Sequence, residues 1–252
     1  MNYSPKFNQR LAPLFCAFFL LATAVSSLSA ESLQYLPAGP LDSAVVLAPP
    51  PLPGSAEQAA DMAAVVATYH ACSSNDAVLA FSEKKFSMFN FAPTIGTFLQ
   101  PGKLPRTEAF LERVQTEAET VTDLAKDYWK RPRPYTTDPS LASGKLEKSF
   151  SYPSGHSTEG TAIALVLADL FPEKHDAIMA FGRNLGWHRV MIARHYATDI
   201  YAGRVFAQAI VHEMKASPEF QRDFAEAKKE IAAAQAAAKA PLEAVPAVAA
   251  QQ

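Results

Sequence analysis

Three short stretches of the chain carry residue types that together could hold and attack an anion. The first runs from Lys126 to Pro134 and reads Lys-Asp-Tyr-Trp-Lys-Arg-Pro-Arg-Pro. Lys126 falls in the last turn of a predicted helix, and Arg133 lies in the rigid, extended exit that Pro132 and Pro134 enforce. Both cations can then face one ligand, lysine as a compact charge and arginine as a planar fork matched to phosphate oxygens. Alone, this stretch reads equally well as a solvated basic helix end, favoured by the macrodipole. The second stretch is Pro153-Ser154-Gly155-His156, directly ahead of an apolar run. Free backbone N–H groups at a helix start attract anions, Gly155 permits close approach to the backbone, and Ser154 can donate or cap. The third stretch holds Arg189, His195 and Asp199. Were one helix to continue through them, His195 and Asp199 would be neighbours four residues apart. A carboxylate beside an imidazole orients it for nucleophilic work, and the plainer alternative is a structural His–Asp pair. His188, His195 and Asp199 can also be read as metal ligands, but their spacing matches no familiar zinc pattern.

The elements needed to position these residues are helical. Ala59, Met62, Ala63, Val66 and Tyr69 recur at helical spacing from Ala56 onward, and a second helix is expected over 75–91. A third spans 107–130, with Leu111, Val114, Ala118, Val121, Leu124 and Ala125 on one face. Further helices are expected over 153–170, 176–195 and 198–215, and the Ala-, Glu- and Lys-rich stretch 220–240 is helical by propensity. No alternating strand pattern of useful length occurs, so the fold class is all-α, a single-domain helical bundle. The expected divisions are a leader over 1–30, a Pro-rich extended arm over 31–55, a helical domain over 56–216, and an Ala-rich helix with a frayed tail over 217–252.

The leader has Lys6 and Arg10 ahead of an apolar run from Leu11 to Val25, then Ser27-Leu28-Ser29-Ala30 as a cleavage site. It predicts export to the periplasm or medium, and the run is short for a bilayer span. Removing it takes away Cys16 and leaves Cys72, the other of the two cysteines, alone. The formal net charge of −2 gives no polyanion-binding surface, so nucleic acid is not an expected partner. No stable membrane insertion is expected after cleavage. His70, His175 and His212 have no partner at a telling spacing. Trp129, Trp187, Tyr152 and Tyr196 lie beside the motifs and read as core or pocket wall. Arg131 and Arg194 read as surface or supporting charges, since the spacing selects Arg133 and Arg189.

Taken together the three stretches resemble the signature of the type 2 phosphatidic acid phosphatase superfamily. That signature is Lys, six residues, Arg-Pro; then Pro-Ser-Gly-His; then Ser-Arg, five residues, His, three residues, Asp. Lys126, Arg133 and Pro134 match the first part, Pro153 to His156 the second, and Arg189, His195 and Asp199 the third. His188 departs from it, standing where the family has serine. Within the superfamily the chain is most similar to the class A bacterial non-specific acid phosphatases, over roughly residues 45–215. The resemblance implies the phosphatidic acid phosphatase type 2/vanadium haloperoxidase fold and broad hydrolysis of small phosphate monoesters, with transfer to alcohols as a further outcome. It implies a phosphohistidine on His195 oriented by Asp199, and His156 as acid then base. Lys126, Arg133, Arg189, Ser154 and Gly155 would hold the phosphoryl oxygens, with no metal or other cofactor. The resemblance and the Pro-rich arm lean towards a homo-oligomer. Competing readings are a vanadium-dependent haloperoxidase, a lipid phosphate phosphatase, and a catalytically silent phosphate-binding protein.

Overall fold

The computed structural model describes residues 33–36 and 41–239; the expected leader and the final thirteen residues lie outside these. Ten α-helices and three short 3-10 turns occur among the described residues, and no strand. Four helices make the frame: α5 (Pro105–Trp129), α7 (Gly155–Leu170), α8 (His175–Met191) and α9 (Ala197–Ala216). Helix α7 is central and packs on the other three. Its run of Ala162, Ile163, Ala164, Val166 and Leu167 is wholly buried, as its all-round apolar sequence demands. Helix α9 comes so close that a Cβ on Gly203 would lie 2.8 Å from the Ser154 carbonyl oxygen. That approach also lets Ser157 Oγ donate to the Ile200 carbonyl at 2.7 Å, which clamps the start of α7 onto the start of α9.

Around this frame lie the one-turn helix α1 (Ser43–Val46), then α2 (Ala56–Ala71) and α3 (Ser74–Ser82), the last two capped by Ser55 and Ser73. The helix expected over 75–91 is broken. It stops at Ser82, with the backbone N–H groups of Glu83 and Lys84 turning back to the Leu79 and Phe81 carbonyls. A 3-10 turn at Met88–Phe91 and the short α4 (Ala92–Ile95) then follow as separate pieces. Helix α5 ends at Lys130, whose left-handed φ of 49° turns the chain before either proline is reached. The short α6 (Pro134–Thr137) follows.

Both ends of the described chain are tied to α5. The Glu117 carboxylate accepts from the backbone N–H groups of Gln34, Tyr35 and Leu36 at 2.8–3.1 Å. The C-terminal α10 (Pro218–Lys239) packs on α5 and α9 through buried Phe220, Ala227 and Ile231. Its Glu230 caps α5 by accepting from Thr107 N at 2.8 Å and Thr107 Oγ1 at 2.7 Å.

The helix expected over 176–195 ends at Met191, so His195 and Asp199 do not share one helix. Ala193 adopts a φ of 53°, and the Arg194 N–H closes the turn on the Arg189 carbonyl at 2.8 Å. His195 therefore sits in the turn, and Asp199 sits in the first turn of α9. There its carboxylate accepts from the Tyr196 N–H at 2.9 Å and caps the helix.

Candidate active site

Ser154 caps α7 weakly, its Oγ accepting from Ser157 N at 3.4 Å, and both side chains are buried. Its own N–H donates to the Asp199 carbonyl at 3.1 Å, which registers the Pro-Ser-Gly-His stretch against α9. At Gly155 a Cβ would meet Lys126 Nζ at 3.2 Å and Glu159 Oε1 at 3.3 Å. The bare glycine thus lets the α5 lysine reach the start of α7. Lys126 is otherwise paired with Asp123 at 2.8 Å.

His195 is almost completely buried. Its Nδ1 lies 2.8 Å from the Ser151 carbonyl oxygen and 3.5 Å from Asp199 Oδ2. Both neighbours are acceptors, so Nδ1 carries the proton and Nε2 keeps its lone pair. Nε2 lies 3.3 Å from Arg133 NH1. Burial first, and then the Arg133 charge, hold the imidazole well below its usual range, so it is neutral. Asp199 acts more on the surrounding groups than on the ring. It accepts from Ser151 Oγ at 2.5 Å and from Arg131 NH1 at 2.5 Å.

His156 stands one residue into α7, and its Nε2 donates to the Glu83 carbonyl at 3.1 Å. That leaves Nδ1 as the nitrogen free to exchange a proton. Burial, and then the Arg189 charge, push its pKa down to about 4. Arg189, Glu147 and Lys126 act on this ring; Arg133, Glu147, Arg189 and Lys126 act on His195. Two imidazoles from distant parts of the sequence therefore share one set of charges, and Lys126, Arg133 and Arg189 are brought to them.

Several important side chains carried no sequence signal. Glu147, from the loop between α6 and α7, bridges Arg133 NH1 at 2.5 Å and Arg189 NH2. Arg131 and Arg194, expected as surface or supporting charges, are 5% and 2% exposed. Arg131 reaches Asp61 at 2.7 Å and Asp199 at 2.5 Å while stacked 3.8 Å over the Tyr196 ring. Arg194 donates to the carbonyls of Ser143 and Ile192 between the faces of Phe81 and Tyr135. His188, the departure from the signature, bonds Glu83 Oε2 through Nδ1 at 2.7 Å. Of the aromatics, Tyr152 and Tyr196 are buried, Trp129 packs edge-on against Tyr152, and Trp187 is 38% exposed.

The arrangement suits a tetrahedral oxyanion held by buried cations beside a neutral imidazole with a free lone pair. The model of the PAP2 superfamily matches residues 116–222, which contain every one of these motif residues. An acid phosphatase of Zymomonas mobilis is 31% identical over 210 residues, covering 79% of each chain. A non-specific acid phosphatase of Salmonella typhimurium is 29% identical over 86% of this chain and 92% of its own. One of Providencia stuartii is 36% identical over 47% of this chain and 50% of its own. The chain belongs to the PAP2 superfamily.

Proposed function

We propose that this acid phosphatase releases phosphate from small monoesters through a covalent phosphohistidine on His195, with protein cations and no metal neutralising the phosphoryl charge. The observation that carries the reading is the state of His195. Its proton is committed to the Ser151 carbonyl side, and its bare Nε2 lies beside Arg133.

In this reading His195 Nε2 attacks phosphorus in line, forming the N–P bond as the ester P–O bond breaks. His156 Nδ1–H gives its proton to the leaving alkoxide, and then as a base takes one from the water that splits the N–P bond. Arg133, Arg189 and Lys126 take the three non-bridging oxygens, while Ser154 and the Gly155 N–H complete the cradle. Phosphoryl transfer asks mainly for position and charge stabilisation, and three cations supply both. Asp199 supports the imidazolium that forms on His195. With His156 near 4 when the site is empty, an incoming dianion must raise it before it can serve as an acid. Turnover therefore increases as the pH falls from neutral.

The leader over 1–30 supports a mature enzyme outside the cytoplasm, and no described helix is long and apolar enough to cross a membrane. The test of the mechanism uses p-nitrophenyl phosphate with a chelator, and quenching of labelled substrate in alkaline denaturant, where a histidine N–P bond survives. Wild type is expected to turn over in chelator and to trap label, while His195→Ala does neither. Label retained on His195→Ala, or activity lost to the chelator, overturns the assignment.

A further inference from the structure

Seven consecutive residues, 144–150, run along the surface, and all are exposed except Glu147. Its carboxylate is turned inward and bridges Arg133 and Arg189, with Oε2 at 2.5 Å from Arg133 NH1 and Oε1 on Arg189 NH2. These are two of the three cations assigned to the phosphoryl oxygens above. We propose that Glu147 is a built-in competitor of the phosphoryl group, an affinity-setting residue that must leave Arg133 and Arg189 before an ester or phosphate can take them. The proposal rests on the reading of those arginines as the phosphate clamp.

Two features support it. The first is charge. Burial alone would raise the Glu147 carboxyl, but Arg133 and Arg189 outweigh it and hold it down at about 2. The group is therefore ionised throughout the working range and always contests the site. The second is that the backbone around Glu147 is fixed while its side chain borders solvent. The Glu147 backbone is pinned on both polar groups by Tyr135, whose hydroxyl donates to the Glu147 carbonyl at 2.9 Å and accepts from the Glu147 N–H at 3.2 Å. Arg194 holds the Ser143 carbonyl of the same loop. The exchange then needs only rotation about the Glu147 side-chain bonds into adjacent solvent, with no core contact broken. Without an anion, the carboxylate neutralises two buried guanidinium groups. With a phosphoryl dianion, that task passes to the ligand. The cost of displacement is paid in apparent affinity, since a site open only a fraction of the time binds weaker by that fraction.

The experiment compares wild type, Glu147→Gln and Glu147→Asp by the inhibition constant of inorganic phosphate and the melting-temperature rise that phosphate produces. Gln keeps the shape and removes the charge, and the phosphate constant is expected to fall about tenfold, as for a site otherwise open about a tenth of the time. The phosphate-induced melting shift should grow in step. Asp, one methylene shorter, cannot span both arginines and should fall between the two. If Gln does not fold without phosphate, the Asp comparison decides. An unchanged or higher phosphate constant in the folded variants overturns the competitor role while wild-type turnover leaves the phosphatase reading intact. A wild type that neither turns over nor is stabilised by phosphate overturns both.

Discussion

Replacing Arg131 with methionine should cost more stability than any change of an exposed charge in this protein. The guanidinium is buried and pairs with two buried carboxylates, Asp61 at 2.7 Å and Asp199 at 2.5 Å. It also donates to Gln58 Oε1 at 2.6 Å and Thr198 Oγ1 at 2.7 Å. Methionine fills similar volume, so the loss is electrostatic rather than a cavity. Removing one partner of a buried pair costs about 3–5 kcal/mol, because the other charge is left behind. Here two are left, but they can relax by taking up protons, so we expect about 5 kcal/mol at neutral pH. At roughly 2–4 °C per kcal/mol for a chain this size, that is a fall in melting temperature of about 10–20 °C.

The pH dependence gives the sharper check. Burial already raises the Asp199 carboxyl above its ordinary 3.8, with Arg131 opposing. Without Arg131 it rises further. A group whose folded pKa is raised weakens the fold progressively as pH climbs above the unfolded value, so the deficit of Arg131→Met grows with pH and shrinks in acid. Urea unfolding of both proteins at about pH 4 and about pH 7 measures it. A deficit under about 1 kcal/mol at neutral pH, or one equally large in acid, would refute the two-carboxylate account. Arg131→Lys, which cannot fork between both partners, should lose roughly half as much.

Glu159 lies beside Lys126 and Gly155, and burial lifts its carboxyl from 4.5 to about 7, with Gln115 donating to it at 2.9 Å. Its folded form holds the proton more tightly than the unfolded chain, so stability falls as pH rises from 4.5 through about 7. Glu159→Gln should therefore gain on wild type with rising pH, by about 2 kcal/mol once partial exposure is discounted; equal melting curves at acid and alkaline pH would contradict it. Restoring the family's serine with His188→Ser strands the Glu83 carboxylate, which is 3% exposed, and should cost about 1–3 kcal/mol. It should also lower kcat, because Glu83 holds His156 through its carbonyl. Adding Glu83→Gln should recover most of the stability, and a double variant no better than the single one would show that the pair does not carry the loss.

The residues proposed to bear the chemistry stood out in the sequence because each stretch is local. Pro153 and Ser154 ahead of an apolar run announce the start of α7, and the prolines after Lys130 signalled that Arg133 lies outside α5, although the left-handed turn at Lys130 is what ends the helix. The helical period was equally legible in α5, α7 and α9, whose expected bounds fall within two residues of those observed. The failures are local signals overruled by tertiary demands. The expected helices over 75–91 and 176–195 are both cut short, and the cuts serve the site. One places the Glu83 carbonyl against His156. The other frees His195 to bond Ser151 instead of lying on a helix with Asp199.

What the amino-acid order determined by itself was an inventory of charges, rings and helical faces, since propensity, capping and the 3.6-residue period act between near neighbours. What only the tertiary structure decided was which charge neutralises which. Arg131 with Asp61 and Asp199, Glu147 with Arg133 and Arg189, and His188 with Glu83 are pairings across chain separations of 14 to 105 residues. Burial makes such pairings obligatory, because an ion withdrawn from water needs a partner wherever the chain can bring one.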